Sequence, residues 1–150
     1  MKNVLCPIDF SDYTESVLEL AASLAQEKNA TIHIVYVLAA INYHDLLVAD
    51  SYLAYGAEII AEERKESQER MNKLKASFEQ KFPAQHFITS IVETGNTEDG
   101  ILETAEKINA DCIVIGSHGR RGISRFIIGS VAESILREAK CNVIVYKVQP

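Results

Sequence analysis

The 150-residue chain has no tryptophan, three cysteines, three prolines and an acidic balance of charge. Cys6, Cys112 and Cys141 are odd in number, far apart and free of C-x-x-C spacing, which argues against a disulfide framework and a zinc site. They read as small buried apolar groups, and a reducing cytoplasmic setting fits them. Lys and Arg number 15 against 21 Asp and Glu, a net charge of -6 that opposes docking on nucleic-acid phosphates or anionic membranes. No run approaches the roughly 20 apolar residues of a membrane span, and MKNVLCPIDF reads as a short strand rather than a signal peptide. His33, His44 and His86 lack H-E-x-x-H or related spacing, so no metal site is expected from them. The phosphate loop G-x-x-x-x-G-K-[ST] is missing, and no G-x-G-x-x-G follows the first apolar run. With 47% hydrophobic residues and no low-complexity tract, the chain is expected to fold as one domain over residues 1–150.

What is present is an alternation of short β-branched runs with longer amphipathic ones, the signature of an α/β fold around a parallel sheet. Strands are expected at Asn3 to Ile8, Thr31 to Leu38, Phe87 to Val92, Cys112 to Ile115 and Asn142 to Tyr146. Asp9, Ser11 and Asp12 supply helix-start chemistry, and the first helix runs to about Lys28 with Asn29 as its left-handed stop. Between Ala39 and Phe82 lies a crossover longer than a βαβ unit needs. It is tyrosine-rich from Ile41 to Tyr55, then charged and helical from Glu58 to Lys81, and Pro83 closes it. Gly95 marks a turn and Thr97 an N-cap for a helix carrying Ile101, Leu102, Ala105 and Ile108. A short last helix runs from Val131 to Glu138.

The segment IVIGSHGRRGISRFIIGS, Ile113 to Ser130, joins a buried strand, a glycine-rich loop and a glycine-serine pair opening a helix. Gly116 and Gly119 would let the backbone turn sharply and approach an anion. Gly129 and Ser130 would present free amide hydrogens and a hydroxyl at a helix N-terminus. Arg120, Arg121 and Arg125 concentrate positive charge in an otherwise acidic chain. The arrangement is that of a polyphosphate site. His118 lies in the loop without a nucleophile or orienting acid placed beside it, so no catalytic residue is assigned.

Gly116, Gly119, Gly129 and Ser130 satisfy the spacing G-x2-G-x9-G-[ST], and with it the chain resembles the nucleotide-binding branch of the universal stress proteins. GSHGRRG, IIGSVAESILREAKCNVIVYKV and CPIDFSDYTESVLELA carry the resemblance, which spans everything except the crossover from Asn42 to Gln85. It implies an open five-stranded parallel sheet ordered 3-2-1-4-5 with helices on both faces, a Rossmann-like fold of the adenine nucleotide alpha hydrolase type. It further implies a dimer and bound ATP, often with Mg²⁺ or Mn²⁺. At the nucleoside end the resemblance points to Pro7, Asp9 and the backbone of Val37. At the phosphate end it points to Gly116, His118, Gly119, Arg120 and Arg125, followed by Gly129, Ser130 and Val131. Many members have proline after the glycine matching Gly95, where this chain has Asn96.

In that strand order Asp9 and Gly116 end adjacent strands where the order reverses, the place where open α/β sheets bind ligands. From sequence alone Asp9 is equally a helix cap. Tyr43, Tyr52 and Tyr55 with neighbouring leucines either cover the nucleotide, receive a partner or pack under the long helix. The strand Asn142 to Tyr146 should lie at an apolar sheet edge and join a second copy. The expected function is ATP-dependent regulation in a stress response. The alternatives are a slow ATPase or phosphotransferase, and a dimeric scaffold that needs no nucleotide.

Overall fold

The computed structural model describes residues 1–39, 50–117 and 128–147. Among the described residues nine elements alternate: β1 (Asn3–Ile8), α1 (Thr14–Gln26), β2 (Thr31–Ala39), α2 (Asp50–Lys81), β3 (Phe87–Thr94), α3 (Thr97–Lys107), β4 (Cys112–Gly116), α4 (Ser130–Glu138) and β5 (Asn142–Tyr146). The five strands form one sheet in the order β3-β2-β1-β4-β5, every neighbouring pair parallel. The order expected from the resemblance is the order observed.

Strand side chains alternate between two apolar layers, as a pleated sheet covered on both faces requires. Val4, Cys6, Ile8, Ile32, Ile34, Tyr36 and Val114 meet Leu18 and Ala21 of α1 and Met71 and Phe78 of α2. On the other face Leu5, Val35, Ile113 and Ile115 meet Ile101 and Ala105 of α3 and Ala132 and Ile135 of α4. Leu5, Leu18, Ile32 and Ile113 are completely buried, each stabilising the fold by about 1.5–3 kcal/mol relative to an exposed position.

The helix ends show where local chemistry acts. Asn29 is left-handed, with φ 58° at Phe10 and 55° at Asn29 among the non-glycine exceptions, and Ala30 N donates to Ala25 O at 2.9 Å to close α1. Asn109 repeats the device after α3, with φ 50° and Ala110 N on Ala105 O at 2.8 Å. Two expected starts shift. α1 begins at Thr14 behind Tyr13, which makes no side-chain cap, so Asp9, Ser11 and Asp12 do not cap the helix. The N-cap of α3 is Asn96 rather than Thr97: its Oδ1 accepts Asp99 N at 2.7 Å. Asparagine at that position therefore starts a helix that proline could not cap in this way.

Two elements are longer by two residues or more than the sequence pattern implies. β3 continues two residues past Val92, held by the pairs Leu38–Glu93 and Ala39–Thr94. α2 starts at Asp50, so Tyr52 and Tyr55 belong to its backbone, while Tyr43 lies outside the described residues. At 32 residues α2 is about 48 Å long, well beyond the roughly 30 Å of the longest strand. Only Ser67, Met71 and Phe78 of its described side chains are buried, so the sheet holds its second half.

Candidate functional site

A parallel strand bonds one neighbour with its odd residues and the other with its even ones. Thr31 N donates to Lys2 O at 2.7 Å and Asp111 N to Asn3 O at 2.9 Å, so even positions of β1 face β2 and odd positions face β4. Pro7 therefore faces β4 without an N–H to give. The consequence is visible in the register: β1 pairs with β2 all the way to Ile8–Tyr36, but with β4 only at Val4–Cys112 and Leu5–Ile113. The carbonyl that an N–H at position 7 would address is that of Val114, the next β4 residue to face β1 after Cys112. A buried proline thus ends the seam between β1 and β4 where the strand order reverses, the place where open α/β sheets bind ligands.

The loop leaving β1 forms one lip. Asp9 Oδ1 accepts Ser11 N at 3.0 Å and Ser11 O accepts Thr14 N at 3.0 Å, so Asp9 braces a turn instead of capping α1. Phe10 is left-handed with φ 58°, a conformation that costs a bulky side chain about 1–2 kcal/mol. Its ring lies 4.8 Å from that of Tyr36 and 4.0 Å beneath the Arg70 guanidinium, while Arg70 Nη2 donates to Phe10 O at 3.4 Å. Thr14 Oγ1 is the buried side-chain oxygen without a partner among the described residues, and it stands at the foot of this loop.

Val37 forms the next part of the rim. By the same alternation its backbone groups face β1, yet the last β1–β2 pair is Ile8–Tyr36, one residue earlier. Its carbonyl projects past the end of that ladder. Gly100 of α3, which sequence reasoning missed, fixes the position of Val37. A Cβ there would stand 2.7 Å from Thr94 Cγ2 and 2.9 Å from Val37 Cγ1, so only glycine lets α3 pack this closely.

At the carboxyl end of β4, Ser117 leaves the strand with its N–H on Tyr146 O at 2.8 Å and its carbonyl accepting Gly129 N at 2.8 Å. Ser117 and Gly129 thereby stitch the two ends of the intervening loop together. His118, Gly119, Arg120, Arg121 and Arg125 lie outside the described residues. Two details depart from expectation. No described glycine has positive φ, and Gly116 is the last strand residue, paired with Tyr146, so it makes no sharp turn. Gly129 is extended at φ -63° and ψ 152°, and its amide is spent on Ser117 rather than free for an anion. The amides left without helical partners by geometry are those of Ser130, Val131 and Ala132 in the first turn of α4, beside the exposed Ser130.

The surrounding charge limits the direction from which an anion can approach. A depression of about 470 Å³ on the outer side of Ser130 is lined by Glu98, Asp99, Glu133 and Glu138 with Arg137. Its acidic lining disfavours phosphate on that side of α4. Another depression, about 400 Å³, lies at the far ends of α3 and α4 around Ala110, Lys140 and Cys141. Among the described residues no three His, Cys, Asp or Glu side chains converge as metal ligands. Burial pushes the Cys6 thiol up to about 12 and also raises Cys112 and Cys141, the opposite direction from an activated thiolate.

The profile of the universal stress protein family matches residues 1–147. The chain belongs to that family. It is 34% identical over 147 residues to a universal stress protein of Methanocaldococcus jannaschii, covering 97% of this chain and 82% of the relative. The structure of the universal stress protein UspA from Lactobacillus plantarum superposes with a TM-score of 0.83 at 26% identity, covering 96% of each chain. A universal stress protein from Archaeoglobus fulgidus, solved in complex with dAMP, superposes with a TM-score of 0.57 at 25% identity, covering 97% of each chain. These likenesses extend across the sheet and both helical layers of this universal stress protein.

Proposed function

We propose that this universal stress protein binds an adenine nucleotide, ATP, in the cleft between β1 and β4, and that occupancy regulates its affinity for a protein partner in a cytoplasmic stress response. The observation that carries the reading is the seam between β1 and β4 that stops before Pro7, beside the β4 end at which Ser117 O holds the Gly129 amide at the start of α4. The dAMP complex of the Archaeoglobus fulgidus relative supports adenine as the base. In this arrangement the Val37 carbonyl orients the base and the Asp9 carboxylate accepts a ribose hydroxyl as a charge-assisted hydrogen bond. The amides of Ser130 and Val131 with the Ser130 hydroxyl face the phosphates, where the positive end of the α4 dipole favours negative charge. His118, Gly119, Arg120 and Arg125 of the loop, with Gly116 and Gly129 at its two ends, complete the proposed phosphate site. Mg²⁺ or Mn²⁺ is assigned to the phosphates, where it would screen their charge.

The described residues offer electrostatic stabilisation of phosphate but no group set to align an attacking water, which favours binding over rapid turnover. β5 is an edge strand, with Val143 to Tyr146 half-buried in one copy, and is assigned as the homodimer contact. Calorimetric titration with ATP, ADP and AMP, with and without Mg²⁺, tests the reading. Affinity increasing with phosphate number is expected; heat from none of the three would leave the dimeric scaffold. Phosphate release followed over hours separates a slow ATPase from a sensor.

A further inference from the structure

Three side chains of α2 hold the carboxyl ends of the three strands beneath it. Glu63 Oε1 accepts from Tyr36 Oη of β2 at 3.3 Å, Arg64 Nε pairs with Glu93 Oε1 of β3 at 2.5 Å, and Arg70 grips Phe10 just past β1. Glu63 and Arg70 stand seven residues apart, two turns along one face of the helix. The grip on Phe10 differs from the other two because its target is strained. Phe10 alone among these aromatic and charged partners is left-handed, and it immediately follows Asp9. A strained residue persists only where its surroundings over-determine it, and strain of this kind gathers at ligand-binding loops. Here the surroundings are the Tyr36 ring on one side and the Arg70 guanidinium over the Phe10 face, with a donor from the same guanidinium to the Phe10 carbonyl.

We propose that Arg70 is a positioning residue for the nucleoside end of the cleft: it holds Phe10 left-handed and so keeps the Asp9 carboxylate turned toward the ligand. This rests on the nucleotide reading above and adds to it a residue of the crossover helix, sixty positions away in sequence. The contact reports α2 to the cleft. Any partner that displaces α2 would release Phe10 to ordinary backbone angles, unmake the Asp9–Ser11 turn and expel the nucleoside.

Two readouts test it on the intact protein. Amide hydrogen exchange at Ser11, whose N–H is held by Asp9, reports the turn without any ligand, and calorimetry with adenosine and with ATP reports the cleft. Arg70→Ala should speed exchange at Ser11 and weaken adenosine and ATP by the same factor, about tenfold for one cation–π contact and one hydrogen bond lost. Arg70→Lys, which keeps charge over the ring without the planar fork, should recover part of both. Arg70 is exposed, so neither variant threatens folding. Unchanged exchange at Ser11 overturns the proposal, as does faster exchange with both affinities intact. A loss confined to ATP also overturns it, because it would place Arg70 at the phosphates. If the unmodified protein binds neither adenosine nor ATP, the nucleotide reading fails first, and Arg70 is then a brace of the fold alone.

Discussion

The seam between β1 and β4 has two ends built on opposite plans. At the amino end Asp111 Oδ2 accepts the amides of Lys2 and Asn3 at 2.5 and 2.9 Å, and Asn3 Nδ2 donates to Ile108 O at 2.9 Å. His33 Nε2 lies 3.2 Å from Asn3 Oδ1, and Asn142 Nδ2 donates to Asp111 O at 3.4 Å, so four segments are laced into one knot. At the carboxyl end the ladder has already stopped, and the backbone turns aside at a strained Phe10. The contrast separates two tasks. Hydrogen bonds complete at one end hold the strands in register, which lets the other end leave backbone groups outside the ladder, where the proposed nucleotide would meet them.

Perturbing the open end should therefore change binding and spare the fold. The largest effect is expected for Gly129→Glu. Gly129 is extended, so glutamate adopts its backbone angles without strain and keeps the amide bond to Ser117. The new carboxylate would stand where phosphate arrives, and like-charge juxtaposition costs enough to lower ATP affinity at least about a hundredfold. Calorimetry with ATP beside a urea titration checks both halves; loss of the fold together with affinity would break the comparison.

Gly100→Ala tests the support of the rim at Val37. A methyl group 2.7 Å from Thr94 Cγ2 and 2.9 Å from Val37 Cγ1 must push one of them aside. Overpacking of this kind destabilises by about 1–3 kcal/mol, read from the urea midpoint, and adenosine should weaken with it because Val37 moves. Smaller still is Pro7→Val. Restoring an N–H at position 7 gives Val114 O a strand donor and extends the seam, adding roughly 0.5–1.5 kcal/mol of stability while closing the proposed site. Stability that rises as ATP affinity falls would sharpen the contrast between the two ends. A neutral result on both counts would mean that Pro7 does not set where the ladder stops.

How much of this was readable beforehand follows from the range of each interaction. Strand and helix positions came through hydrophobic periodicity, which is local, and Asn29 was recognised as a left-handed stop for the same reason. The N-cap at Asn96 was within reach too, since Asn96 and Asp99 have the spacing of a cap and its third residue; the acidic pair Glu98 and Asp99 directly after Thr97 points to Thr97 instead. The glycine spacing located a loop but carries no φ angle, so the ordinary backbone of Gly116 and Gly129 could not be inferred from it. The role of Pro7 depends on which neighbour its missing N–H faces, and that is settled only by the register with Thr31 and Asp111. Gly100 against Val37 and Arg70 over Phe10 join residues tens of positions apart, a relation that no periodicity records.

The laced end should show itself in acid. The amides of Asn3 and Lys2 hold the Asp111 carboxyl below its ordinary value of 3.8, because they bond the charged form. With the folded value depressed, the unfolded chain binds more protons between the two values, so stability rises with pH there. The contribution is complete above about 4 and disappears as the pH falls through the lower folded value. Asp111→Asn should therefore flatten the acid limb of a stability profile below pH 4, measured by urea midpoints, and reduce stability at neutral pH. ATP affinity at neutral pH should be unchanged, since Asp111 lies at the far end of the seam. A variant that lost ATP affinity without losing stability would show that the two ends are not separate.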